Sequence, residues 1–232
     1  MFFQRDMEKV TCRFCNFKSA AAQKLGDNEI NVMESHCGEV KYKSGDNIIR
    51  QDALATSIVY IKSGIVKIHV KGPIKEKILK IVKAPAYLCL PGTFSDKIHH
   101  FSATAISETS VCFIDATVFK QFIYNNGDFA FQIILDISKG EFQNFHNLIN
   151  IAQKQNIGRV ADAILFFARE IFNSSSFKFP ISRQDLGDLL GITRESASRI
   201  LTDFHNEKII QINGRQITIL KEELLNQISE KG

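Results

Sequence analysis

The chain has 232 residues, 44% hydrophobic and 23% charged, the balance of a folded protein rather than a disordered one. No apolar run nears the roughly 20 residues a bilayer span requires, and the opening MFFQRDMEKVTCRFC scatters charges where a secretory signal needs an apolar stretch, so a cytoplasmic location is expected. The net charge is only +4, with 11 Lys plus Arg against 10 Asp plus Glu in residues 152–232, so bulk charge does not establish nucleic-acid binding; five cysteines, an odd number, argue against a disulfide framework.

Residues 1–36 read as a short, partly helical lead-in that carries Cys12 and Cys15. From about residue 38 to 115 short strands alternate with turns. Val40 and Tyr42 alternate with lysines, Ser44-Gly45-Asp46 turns into Ile48-Ile49, and Ser63-Gly64 separates Val59–Ile61 from Ile65–Val70. Gly72-Pro73 closes a hairpin into Ile78–Val82, and further strands are expected at Tyr87–Leu90, Ser102–Ile106 and Val111–Ile114. Many short strands at close spacing indicate a sandwich or barrel-like roll.

From Thr117 to Phe172 the period is helical. Asp128 is placed to cap a long helix ending near Gln155. Leu135, Ser138, Phe142, Phe145, Ile149 and Ala152 form one register on it, and Ile134, Ile137, Glu141 and Leu148 form a second. Two apolar registers predict a helix packed on its own roll and on a partner helix, with Ile134, Ile137, Phe145 and Leu148 at the dimer interface; a wide core-facing stripe in a monomer is the alternative. Residues 157–172 make another amphipathic helix, and Asn173–Ser176 breaks the pattern before a short strand at Phe177–Pro180.

Residues 181–204, ISRQDLGDLLGITRESASRILTDF, read as two helices joined by a tight turn. Ser182 and Asp185 form a capping box, Gly191 supplies a left-handed turn residue, and Thr193 caps the second helix. Ala197, Ile200, Leu201 and Phe204 face inward, which leaves Arg194, Glu195, Ser198 and Arg199 on the opposite face. Arg grips guanine O6 and N7 with two hydrogen bonds and Glu accepts from cytosine N4, so this face suits a major groove. A surface helix with ordinary charges is the plainer alternative. Asn213-Gly214 between alternating strands predicts a hairpin, placed as a wing.

A roll, a long helix and then a winged two-helix unit give an order that resembles the bacterial CRP/FNR family of transcription regulators. The resemblance covers about residues 30–225 and is carried by YKSGDNIIRQD, VYIKSGIVKI, TSVCFIDATVF and ISRQDLGDLLGITRESASRIL. It implies an α+β chain: an N-terminal double-stranded β-helix of the cyclic-nucleotide-binding type (1–127), a dimerisation helix (128–155) and a C-terminal winged helix-turn-helix (156–232). It further implies a homodimer on a two-fold symmetric operator in double-stranded DNA, with RNA polymerase as a partner. Base contacts are expected from Arg194, Glu195, Ser198 and Arg199, and phosphate contacts from Arg183, Gln184, Thr193 and Arg215. The catabolite-activator type carries an Arg before the Glu, here Arg194, and the fumarate–nitrate type a Ser before the second Arg, here Ser198. TGTGA-like and TTGAT-like half-sites both remain open.

In this family a cyclic-nucleotide pocket uses a Gly-Glu pair on the ribose and an Arg-Ser pair on the phosphate. Here Cys89-Leu90 and Phe101-Ser102 stand in those places, so cyclic AMP is not the expected effector. The fumarate–nitrate branch holds an iron–sulfur cluster on three N-terminal cysteines and one on the last roll strand. Cys12, Cys15 and Cys112 match in part, but no Cys stands near Ala21, and Cys37 would have to serve. Oxidisable thiols without a cofactor are the alternative. His99-His100 point different ways and are expected in a loop or at the surface. No paired carboxylates, Gly-rich phosphate loop or nucleophile triad supports an enzyme, although a β-roll enzyme or small-ligand-binding protein is the runner-up class.

Overall fold

The computed structural model describes residues 8–9, 11–73, 75–88 and 90–232. Contacts divide the chain into two compact units, Met1–Lys75 with Leu79–Glu141, and Phe142–Gly232 with Glu76–Ile78, so the boundary falls inside the long helix rather than at either end of it.

The first unit is built from two sheets. One has five strands: β1 (Glu8–Lys9), β2 (Cys37–Tyr42), β9 (Thr109–Asp115), β4 (Ser57–Ser63) and β7 (Ala86–Leu88), in that spatial order. The other orders β3 (Asn47–Ile49), β8 (Ser102–Ala105), β5 (Ile65–Lys71) and β6 (Glu76–Lys83). Val59, Ile61 and Val111 of the first sheet pack with Ile49, Val66, Ile68 and Ala103 of the second in one core. The opposite face of the five-stranded sheet, with Ile58, Tyr60, Cys112 and Ile114, forms a second core with Met33 of α1 (Asp27–Ser35), Phe119 and Phe122 of α3 (Ala116–Asn125), and Phe129 and Ile133 of α4 (Gly127–Gln153). That is why β4 buries residues on both faces instead of alternating.

Several boundaries differ from those expected. The strand expected at Tyr87–Leu90 stops at Leu88, and Leu90 opens the short α2 (Leu90–Phe94). Asp128 does not cap α4. The cap is Asn126, whose Oδ1 accepts from Phe129 N at 3.0 Å, because α3 ends there and its last residue turns directly into the next helix. The roll-facing side of α4 is Phe129 and Ile133, in neither expected register. Ile134, Ile137, Phe145 and Leu148 are 43–64% exposed, and Phe142 and Ile149 of the other register are exposed as well.

The second unit begins with the end of α4 and α5 (Asn156–Phe166), which runs into a π-helical turn, Phe167–Phe172, closed by Asn173 in the left-handed region. β10 (Ser176–Lys178), β12 (Gln216–Ile219) and β11 (Ile210–Asn213) form a three-stranded sheet beside α6 (Arg183–Leu190), α7 (Arg194–Asn206) and α8 (Glu222–Lys231). Asp162 of α5 accepts from Asn150 of α4, from Lys154 just after that helix and from Ser229 of α8, at 2.8–2.9 Å, tying three helices at one carboxylate.

Candidate nucleic-acid interface and thiol cavity

α6 begins under the expected box: Ser182 Oγ accepts from Asp185 N at 3.0 Å, and Asp185 Oδ2 accepts from Ser182 N at 3.1 Å. Gly191 ends it with φ +70°, a conformation glycine adopts without a Cβ penalty. The turn is tight. A Cβ on Gly187 would stand 2.9 Å from Ile192 O and 3.2 Å from Arg194 N, so the start of α7 lies directly against α6. Thr193 caps α7, its Oγ1 accepting from Ser196 N at 3.1 Å.

Ala197, Ile200, Leu201 and Phe204 are buried. Arg194, Glu195 and Arg199 are exposed and Ser198 is half-buried, so the four stand on the outward face of α7. Among the described residues no hydrogen bond or ion pair engages the side chains of Arg194, Glu195 or Arg199. The three thus keep all their donors and acceptors for a ligand.

The residues expected on phosphates are more constrained. Gln184 is exposed, and its Nε2 donates to both carboxylate oxygens of Asp188, at 3.0 and 3.1 Å. Arg183 lies over the Phe179 ring, 5.9 Å from its centroid; burial lowers its pKa, and its Nη1 is buried without a partner. Arg215 turns back to the same segment, donating to Phe179 O at 3.3 Å and Pro180 O at 3.0 Å. The wing hairpin forms where it is expected. Asn213 pairs with Gln216, leaving Gly214-Arg215 as the loop, with φ +60° at Gly214. Glycine at the first central position is what a type II′ hairpin requires.

In the first unit the five-stranded sheet gathers the thiols. Cys37 pairs with Ile114, and Cys112 with Glu39 and Tyr60, so Cys37, Cys112 and Tyr60 share a face. Tyr60 Oη donates to Phe17 O at 2.6 Å, and Ser19 Oγ and Tyr87 Oη share a 2.6 Å hydrogen bond, which holds the lead-in over that face. Cys12, Cys15, Cys37 and Cys112 consequently line one cavity of about 30 Å³ together with Tyr60, Lys62 and Tyr87. The hydrogen bond with Cys37 lowers the Cys12 pKa, whereas hydrogen bonds with Cys112 and Cys12, with burial, push Cys37 up. Lys62 donates to Glu39 at the rim, and Ser110 donates to the same carboxylate. Burial alone would raise Glu39, but these two donors bring its pKa below the usual carboxylate value.

The four thiols match an iron–sulfur cluster in donor type and number. The space does not fit one. A cavity of about 30 Å³ takes a water-sized molecule or two, and among the described residues no three Cys, His, Asp or Glu side chains are placed to hold a metal ion. Leu90 is buried in α2, Phe101 is half-buried, and Cys89 lies outside the described residues. His99 and His100 lie in a loop, as expected, but His99 is not at the surface. It is buried with Nδ1 unpartnered, and burial lowers its pKa, whereas the exposed His100 pairs with Asp96 at 2.8 Å.

The sequence matches the Crp-like helix-turn-helix domain over residues 158–228 and the cyclic nucleotide-binding domain over residues 39–126. The two-helix unit and the roll thus define a DNA-binding transcription regulator with a cyclic-nucleotide-binding-type domain. The cAMP-activated global transcriptional regulator CRP of Escherichia coli O6:H1 is 26% identical over 191 residues, 80% of this chain and 90% of that protein. The fumarate and nitrate reduction regulatory protein of Yersinia pestis is 24% identical, over 83% of this chain and 76% of its own. FixK2 of Bradyrhizobium japonicum shares the fold, with a TM-score of 0.75 and 23% identity over 83% of this chain and 96% of that one. The chain belongs to the CRP/FNR family of transcription regulators. Among the described residues no helix is long and apolar enough to cross a membrane.

Proposed function

We propose that the protein is a homodimeric, cytoplasmic regulator that binds a two-fold symmetric operator and acts on RNA polymerase. The observation that carries this is the outward set on α7: Arg194, Glu195 and Arg199 exposed, with their side chains uncommitted. In this reading Arg199 takes a guanine edge, Glu195 accepts from cytosine, and Arg194 and Ser198 complete the base contacts. Thr193 and Gln184 at the two helix starts, with Arg183 and Arg215 around Phe179, lie on the phosphates. The exposed apolar face of α4 joins the two copies. Selection of bound genomic fragments followed by gel shift tests this. A recurring inverted repeat is expected, and enrichment of no sequence would overturn it.

Cyclic AMP is not the effector in this reading. Leu90 offers no acceptor for a ribose hydroxyl, and Phe101 offers no charge to a cyclic phosphate. A second reading, redox sensing, is favoured by one observation, the assembly of four thiols around a single cavity. Because the cavity is too small for an iron–sulfur cluster, this reading rests on the thiols themselves and on no resident cofactor. Iron and acid-labile sulfide in protein purified without oxygen would overturn that choice.

A further inference from the structure

We propose that Cys12 and Cys37 close to a reversible disulfide and that a small hydroperoxide is the oxidant. This rests on the redox reading and names the chemistry of its site. Two arguments select the pair. First, the Cys37 thiol lines the cavity with both Cys12 and Cys112, and both of these neighbours push its pKa up, which makes it the shared neighbour of the group. Second, the sheet register excludes one of its two partners. Cys37 faces Ile114 while Cys112 faces Glu39, so Cys37 and Cys112 are diagonal neighbours on adjacent strands.

Diagonal residues stand about 7–8 Å apart, whereas a disulfide needs Cα atoms about 4.4–6.8 Å apart. β2 is paired by β1 and β9, and β9 by β2 and β4, so neither strand is free to close the gap. Cys12 carries no such restraint. It lies in an irregular turn, with Cys15 N donating to its carbonyl at 3.3 Å, in the core against which Cys37, the first residue of β2, packs.

The cavity also states what can reach these sulfurs. Its roughly 30 Å³ admits a molecule the size of hydrogen peroxide and excludes a nucleotide. The Cys12 thiolate attacks one peroxide oxygen. An S–O bond forms, the O–O bond breaks, and the departing hydroxide takes a proton to leave as water. The Cys37 sulfur then attacks the Cys12 sulfenic acid, the S–S bond forms, and the S–O bond breaks with loss of a second water. Two thiols thereby give up two electrons and two protons, and the peroxide is reduced to two waters. A thiol reductant reverses the change by exchange.

The test uses the full-length reduced protein treated with one equivalent of hydrogen peroxide, read by intact mass and non-reducing peptide mapping. The expected product is lighter by two hydrogen atoms and links the Cys12 and Cys37 peptides. Cys112→Ser should still form the link. Cys37→Ser should lose it and accumulate a Cys12 sulfenic acid that dimedone traps, with circular dichroism confirming that each variant is folded. A Cys37–Cys112 or Cys12–Cys15 link, no link at all, or loss of the link in folded Cys112→Ser would overturn the assignment. The sensor reading is tested separately by comparing crosslinked and reduced protein on a selected operator, where a change of about tenfold or more is expected. Equal affinity would remove redox sensing while leaving the disulfide in place.

Discussion

Replacing Leu148 with Asp tests how two copies join. Leu148 is 64% exposed in the single chain and lies on α4 with the exposed Ile134, Ile137 and Phe145. For a leucine that exposure is about 110 Å², and at ~25 cal/mol per Å² the two copies in a symmetric dimer bury about 5 kcal/mol of apolar surface. Five kcal/mol is between three and four decades in Kd, so a nanomolar dimer would become about five micromolar. Because Leu148 is exposed, the chain's own fold should be kept, and circular dichroism should not change. Sedimentation velocity across a dilution series should show dimers for the parent and monomers for Leu148→Asp at the same concentrations. Gln143→Ala, an exposed polar position on the opposite side of the same helix, should sediment like the parent. A Leu148→Asp chain that remains dimeric through the series would refute the assignment of this face.

Four further outcomes follow from the same coordinates. Arg199→Ala should cost about 1–3 kcal/mol of affinity for the selected operator while binding to random duplex changes less, which competition gel shifts would show; equal losses contradict base readout. Gly187→Val should destabilise the winged unit by about 1–3 kcal/mol, because even a Cβ there meets Ile192 O at 2.9 Å; an unchanged melting temperature would contradict the tight turn. Calorimetry should show no binding of cyclic AMP at micromolar concentrations, and such binding would overturn the reading of Leu90 and Phe101. Burial lowers the His99 pKa. The unfolded state therefore binds more protons below its value of about 6.5, and stability is lost as the pH drops through that range. His99→Phe should lose less stability than the parent between neutral and mildly acidic pH in chemical denaturation, and parallel losses would contradict the assignment.

What the sequence made legible was mostly local. The Ser182–Asp185 box, Gly191 and Thr193 act within four residues of themselves, so their geometry follows from residue type alone. Where the sequence offered two adjacent solutions, tertiary structure chose between them. Asn126 and Asp128 are both competent caps, and the end of α3 selects Asn126. Within the Asn213–Arg215 turn segment the strand register sets the loop: Ile210 pairs with Ile219 and Ile212 with Ile217, which carries Asn213 into the strand and leaves Gly214-Arg215. Which face of α4 meets the roll was beyond its own periodicity, since apolar residues occur all round the helix. The convergence of the thiols was less accessible still: it depends on the pairing of β2 with β9, which brings together Cys37 and Cys112, 75 residues apart, and on a lead-in held by Tyr60 and Tyr87.

The thiol cavity and the long helix are parts of one core, and this limits how chemistry at the cysteines can act. Tyr60 and Tyr87 line the cavity and touch at 4.8 Å between ring centroids. Tyr87 meets Phe119 edge-on at 5.6 Å, and Phe119 meets Phe129, in the first turn of α4, at 5.1 Å. Phe119 and Phe129 are fully buried, so no solvent layer or loop separates these rings. The core between the two sheets contains neither the thiols nor α4 and offers no second route. Packed interiors yield by repacking rather than by gradual compression. In the proposed redox reading, a covalent change that displaced Cys12 or Cys37 would press on the Tyr60–Tyr87 pair and, through Phe119 of α3, on the helix that Phe129 and Ile133 anchor. Ile134, the next residue, already points outward with the apolar face through which two copies would join. In that reading the thiol cavity and the proposed dimer face would meet within two consecutive residues of α4, Ile133 and Ile134.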